Sequence, residues 1–194
     1  MAIRDQQREV VAGRLAAHLL DTGLTQTSLR QLAKAAGVSD RMLLYYFTDK
    51  AEVLSAATTL VAAQSLAGLA GAIPEATRLP PRQMILLAVQ LTAGPQMRRF
   101  MRLWVEMIAA AAKGEEPFVT ISAQVMAGFR QWLAERIDVP AGTDPGAMAA
   151  VIIALIDGLA LVDICSSEAE MQAAHDALTV LLDGTYTKTN RGSH

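Results

Sequence analysis

Three short pairs punctuate this chain: Ser28 with Gln31, Asp49 with Glu52, and Ser167 with Glu170. Each sets a small oxygen-bearing side chain three residues ahead of an amide or carboxylate, the spacing at which a helix start satisfies its free N–H groups. Glycines and prolines mark further stops and starts, and no segment alternates apolar and polar residues with β-branched enrichment. The chain is therefore expected to be all-α, with about nine helices. They should cover residues 3–22, Ser28 to Gly37, Ser39 to about Tyr46, and Asp49 to about Ala70. After a connection through Gly71, Pro74 and Pro80, they should run from Pro81 to Gly94, Gln96 to Lys113, and Pro117 to about Asp138. Two more should follow, over 145–165 behind Asp144, and from Ser167 to about Tyr186.

Composition narrows the class. Of 194 residues, 52% are hydrophobic and 19% charged, with a net charge of −2, which excludes intrinsic disorder. One cysteine, Cys165, excludes an intramolecular disulfide and a multi-cysteine zinc site. The polar N-terminus argues against a secretory leader, and the longest unbroken apolar run, Ala147 to Ile156, is about half a bilayer span. A soluble, cytoplasmic protein without a membrane partner is expected. Residues 1–50 hold seven Lys/Arg against five acids, and the rest ten against fourteen, so any polyanion should bind the head. The tail, Arg191 to His194, reads as a tag remnant and is set aside.

Residues 28–47 read SLRQLAKAAGVSDRMLLYYF. Two helices crossing steeply need a small residue at the crossing, and Ala33 fits. The turn needs a residue that tolerates positive φ, and Gly37 fits. Leu43 can face back from the second helix, with Val38 and Phe47 closing a small core. That is helix-turn-helix spacing, although an ordinary αα-hairpin also carries Ala-x-x-x-Gly.

The longer stretch SLRQLAKAAGVSDRMLLYYFTDKAEVL resembles the DNA-binding domain of the tetracycline-repressor (TetR) family of transcriptional regulators, and ALIDGLALVD at 154–163 resembles an interface helix of that family. The resemblance implies a DNA-binding domain at 1–48 and a ligand-binding and dimerisation domain at 49–190. It implies that Arg30 reaches phosphate or a base edge and that Ser39 caps the recognition helix and offers its hydroxyl to phosphate. Asp40, Arg41 and Met42 would face base edges, Tyr45 and Tyr46 would contact phosphates or bases, and Lys50 would hold a phosphate at the next helix start. The family's usual Tyr is Leu44 here, so one phosphate contact should be missing, and its usual Gly-Thr pair is Arg41-Met42. Arg41 favours guanine, Met42 suits a thymine methyl, and Asp40 accepts from cytosine, repels phosphate or pairs with Arg41. A tyrosine beside Phe47 is as readily core as surface, which leaves Tyr45 open, while Tyr46 is expected to face DNA.

Seven of the nine methionines fall in residues 51–190, and methionine-rich interiors adapt to apolar ligands. The resemblance implies a small effector between the body helices. Candidate lining residues are Leu87, Leu91, Leu103, Trp104, Met107, Val125, Met126 and Phe129, with Gln90, Glu106 or Gln124 as polar anchors. More often a residue such as Glu106 pairs with a neighbouring charge on its own helix, here Arg102 or Arg99. The helix 145–165 is apolar nearly all round and needs cover. A second copy meeting Val151, Ile152, Leu155, Ile156, Gly158, Leu159 and Val162, with Leu178, Leu181 and Leu182 of the last helix, would supply it, leaving Asp157 and Asp163 at the rim or as specific polar contacts. A two-fold dimer then implies a palindromic DNA operator.

Neither a metal-ligand spacing nor a phosphate loop is present, so no enzyme activity, cofactor or metal is expected. The rival readings are a helical dimer that binds a small molecule or protein but has lost DNA binding, and a DNA binder whose body only dimerises.

Overall fold

The computed structural model describes residues 3–25 and 27–183. Among these residues nine helices form: α1 (Ile3–Thr22), α2 (Leu29–Ala36), α3 (Asp40–Tyr46), α4 (Lys50–Ala72), α5 (Pro81–Thr92), α6 (Pro95–Ala112), α7 (Phe118–Ala134), α8 (Pro145–Cys165) and α9 (Glu168–Leu182). The all-α expectation holds. The pairs Ser28/Gln31 and Ser167/Glu170 close as reciprocal capping boxes. At α4 the Asp49 carboxylate accepts the Glu52 N–H, while Glu52 reaches one residue further back, to the Thr48 N–H at 2.6 Å. The expected ends of the last helix at Tyr186 and of the body at residue 190, and the tail 191–194, lie outside the described residues.

One helix end differs from expectation. α7 stops at Ala134 rather than near Asp138, because the following residues pair with the connection ahead of α5. The Leu79 N–H donates to the Arg136 carbonyl at 3.0 Å, and the Asp138 N–H donates to the Leu79 carbonyl at 2.9 Å. The Arg136 side chain, 4% exposed, completes this clip by donating to the Trp132 carbonyl and the more distant Ile73 carbonyl.

Two packed clusters make the core. The first joins α1, α2 and α3 to the first half of α4 and to α6 and α7, so Leu15, Leu32, Leu43 and Phe47 share one interior with Val53, Leu103 and Ile121. The core thus runs straight through the expected division between residues 48 and 49. α4 makes this possible: Val53, Leu54, Ala57, Thr58, Val61, Ala62 and Ser65 form one buried stripe at helical spacing. The second cluster gathers Met84, Ile85, Trp132, Ile137, Ile152 and Leu178 at the far end of the body.

Candidate nucleic-acid interface and body cavity

The head is built around the α2–α3 crossing. Ala33 is 1% exposed, and any larger side chain there would drive the two helices apart. Gly37 ends α2 at φ +70°, donating its N–H to the last-turn carbonyls, and the Val38 N–H follows to the Ala33 carbonyl at 3.0 Å. Arg14 of α1 donates to the Ala36 carbonyl at 2.8 Å and fills the space a Gly37 Cβ would need. Ser39 caps α3, its hydroxyl oxygen accepting the Met42 N–H at 3.2 Å. That bond leaves the hydroxyl proton free to donate outward.

The consequence is a recognition helix anchored by a few side chains. Leu43 and Phe47 are buried, while Asp40, Arg41, Met42, Leu44 and Tyr45 are exposed along α3. Arg30 and Lys50 are exposed on the neighbouring helices, so most of the expected contact residues lie on the head surface. The tyrosines reverse the expected order. Tyr45 is the exposed one, at 56%, and Tyr46 is half-buried against the core. The reason is phase, since Tyr46 follows Leu43 by three residues and so shares its inward face.

Two arginines of α1 have roles that the sequence reading missed. Arg4 donates to the Tyr45 carbonyl at 3.1 Å with its guanidinium over the Tyr45 ring, and Arg8 donates to the Tyr46 carbonyl at 3.2 Å. These are carbonyls at the end of α3 that lack partners within the helix. Arg8 also pairs with Glu52 at 2.8 Å. Bonds from Thr48 and Arg8 hold the Glu52 carboxyl below its ordinary pKa. Their four-residue spacing, Arg4 and Arg8, was the available signal.

Head and body also meet at the end of α1. Glu106 was expected to anchor a ligand or to pair with Arg99 or Arg102; among the described residues it forms no ion pair with either arginine, and it stands outside the cavity between the body helices. Its carboxylate accepts the Leu24 N–H at 2.6 Å, just beyond Gly23, which has φ +64°. Arg99, two turns earlier on α6, pairs with Asp21 instead. Lys50 borders the open depression beside this joint, with Thr27 and Lys113.

Between α4, α5, α6, α7 and α8 lies a cavity of about 70 Å³ that opens to solvent. Its wall includes Leu91, Trp104, Met126 and Phe129 from the expected set, together with Met84, Met97, Phe100, Met101, Trp132 and Ile153. The other expected residues stand elsewhere. Leu103, Met107 and Val125 are buried in the core shared with the head, and Leu87 packs into the second cluster. Gln90 and Gln124 are exposed on the surface. The cavity's polar wall groups are Thr92 and Asp157. Thr92 returns its hydroxyl to the Ala88 carbonyl at 2.9 Å. Asp157 was expected at a subunit rim, yet it sits one turn after Ile153 on the inward face of α8. Burial pushes its carboxyl pKa up, against a bond from Trp104 that lowers it. Two buried polar groups, the Ser122 hydroxyl and the Trp132 indole N–H, have no partner among the described residues.

The helix-turn-helix head and the helical body both have known counterparts. Residues 15–57 match the model for bacterial regulatory proteins of the tetR family, and residues 81–186 match that for the C-terminal part of BetI-type transcriptional repressors. The chain belongs to the TetR family. It is a DNA-binding transcriptional regulator, in a family of regulators rather than enzymes. Solved structures share its fold. A TetR-family regulator from Cytophaga hutchinsonii is 17% identical with a TM-score of 0.74, covering 98% of this chain and 99% of its own. A transcriptional regulator from Rhodococcus sp. Rha1 is 23% identical with a TM-score of 0.70, covering 92% and 96%. E. coli NemR in its reduced form is 20% identical with a TM-score of 0.66, covering 89% and 95%. No curated protein matches the chain.

In this TetR-family chain the outer face of α8 is apolar and exposed. Ala147, Val151, Ala154, Gly158, Leu161 and Cys165 are all exposed at alternating four- and three-residue steps, with Val162 beside them. Val180 and Leu181 are likewise exposed on α9. Of the residues expected at a subunit contact, Val151, Gly158, Val162 and Leu181 lie here, with Leu155, Leu159 and Leu182 half-buried. Ile152 and Leu178 are instead buried within their own chain, and Ile156 lines the cavity. By length and composition alone α4 and α8 are long and apolar enough to cross a membrane, a test that the core helix of a soluble protein also passes. An unbroken apolar run ends at Asp157, whereas the whole helix carries only two charges, Asp157 and Asp163.

Proposed function

We propose that this regulator is a repressor that binds a palindromic operator as a two-fold dimer and is released by a small, largely apolar effector. It would act in the cytoplasm, where operator DNA lies. The dimer forms through the exposed stripe of α8 with Val180 and Leu181 of α9. In this reading a second copy is the cover that an apolar helix face requires. Two recognition helices are then set about one DNA turn apart, roughly 34 Å. Arg41 and Met42 read base edges, Asp40 adds or refuses a base by its charge, and Tyr45, Ser39, Arg30 and Lys50 hold phosphates.

One observation carries the effector reading: the same helix, α6, walls the cavity with Phe100, Met101 and Trp104 and grips the head through Glu106 and Arg99. An effector that fits one position of α6 better than another must shift the head by that differential affinity, and operator DNA must weaken effector binding by the same factor. α4 gives a second route, since Leu69 reaches the cavity and Lys50 begins the same helix at the head.

Selection of bound duplexes from a random DNA pool, repeated across salt concentrations, tests the first part. A recovered palindrome whose affinity falls steeply with salt supports the reading, and weak binding without sequence preference refutes it. The recovered operator then serves as the probe for release. If no apolar compound that binds the cavity changes operator affinity, the body only dimerises.

A further inference from the structure

The cavity is an unusual host for a carboxyl group. Four aromatic side chains, Phe100, Trp104, Phe129 and Trp132, stand in its wall among methionines and aliphatic residues. Asp157 is the one ionisable side chain in that wall. The neutral Trp104 indole N–H is the group that favours its charged form, and no described arginine, lysine or histidine forms an ion pair with it. The nearby cations are engaged or placed elsewhere. Arg98 pairs with Asp163 at 3.4 Å outside the cavity, and Arg136 lies over the Trp132 ring at 4.7 Å from its centre. Asp157 is half-buried, so a carboxylate there with one neutral donor keeps acceptor capacity that water meets only in part.

We infer that the effector is a lipophilic amine, bound as its ammonium ion, with the N–H groups on Asp157 and the apolar body against the aromatic wall. The inference rests on the cavity being the effector site. An ammonium ion supplies charge and hydrogen bonds together to Asp157, and it is attracted to the faces of tryptophan and phenylalanine rings as well. A neutral alcohol of the same shape offers one donor and no charge. An anion of that shape meets like charge and must protonate itself or Asp157 to enter.

The chain carries a reporter at the site, since its two tryptophans, Trp104 and Trp132, both line the cavity. Phenylbutylamine, phenylbutanol and phenylbutanoate are titrated in turn into the full-length protein at neutral pH, and tryptophan emission is followed. The amine is expected to bind at least about tenfold more tightly than the alcohol, with the anion weakest. In Asp157→Asn the amine should fall to the affinity of the alcohol, while the alcohol changes little. An alcohol or anion that binds the native protein as tightly as the amine overturns the amine inference and leaves the cavity as effector site. Emission unmoved by all three compounds overturns both readings. The ligand series on the native protein decides the matter even where Asp157→Asn fails to fold.

Discussion

The joint between head and body can be tested by a pair of substitutions whose effects should not add. Gly23 ends α1 at φ +64°, and an added Cβ would fall within the van der Waals contact of the Glu106 carboxylate. The backbone strain of Ala in the left-handed region costs about 1–2 kcal/mol. The carboxylate is the flexible end of a long side chain and could swing away, but doing so breaks its bond to the Leu24 N–H. A hydrogen bond to a charged group contributes about 1.5–3 kcal/mol, so Gly23→Ala should cost roughly 2.5–5 kcal/mol in all. Glu106→Ala removes the same bond and should cost about 1.5–3 kcal/mol by itself. In the double variant the bond is lost once and the clash disappears, leaving only the strain added to the single loss. The cycle should therefore show a coupling of about 1.5–3 kcal/mol, measured by urea unfolding of the four proteins under one set of conditions. Effects that add to within about 0.5 kcal/mol would refute the claim that Gly23 and Glu106 share one interaction.

Three further outcomes follow from the same geometry. Lys50→Ala should flatten the dependence of operator affinity on salt by about 0.9 per head, nearly 2 for a dimer, and an unchanged slope removes Lys50 from the phosphate contacts. Leu161→Glu, at a position 51% exposed on the α8 stripe, should turn a dimer into a monomer in sedimentation at micromolar concentration without loss of helix content, and a persisting dimer would place the interface elsewhere. Asp157 has a raised pKa, so between the ordinary value of 3.8 and the raised one the native form holds a proton that the unfolded chain has released, and stability is lost as pH rises through that window. Thermal unfolding of Asp157→Asn should accordingly gain on the native protein across that window and hold its lead above it, whereas a melting difference independent of pH would show that burial costs this carboxyl nothing.

The head was largely legible in the sequence because its determinants are local. A capping serine, a glycine that must take positive φ and a small residue at a crossing each act within a few residues, and Ser28, Gly37 and Ala33 all stand where their chemistry requires. The end of α7 was hidden because it is set by pairing between Leu79 and Ile137, which are far apart in sequence. The face of α8 was hidden for another reason. A helix apolar all round has no phase to read, so Ile152, which is buried, and Val151, which is exposed, were indistinguishable as sequence. Asp157 was one of two charged phase markers available, with Asp163. Taken with Ile153 four residues before it, it would have pointed the inner face correctly had a buried carboxyl been allowed for.

The two helices that could carry a signal from cavity to operator differ in reach. On α4 the cavity contact Leu69 lies nineteen residues beyond Lys50, about 28 Å along the helix, so a tilt must travel most of its length through the stripe buried from Val53 to Ser65. On α6 the cavity residues Phe100, Met101 and Trp104 lie between Arg99 and Glu106, within two turns of the head. Of the two grips on that short route, Arg99 and Asp21 are both about half-exposed, a setting in which an ion pair holds little. Glu106 is different, since it satisfies a backbone N–H at the end of α1 that otherwise lacks a partner within the helix. A displacement of α6 large enough to seat an effector must either carry Leu24 with it or leave that N–H unpaired. The first costs less, and it moves α1, against which α2 and α3 are packed.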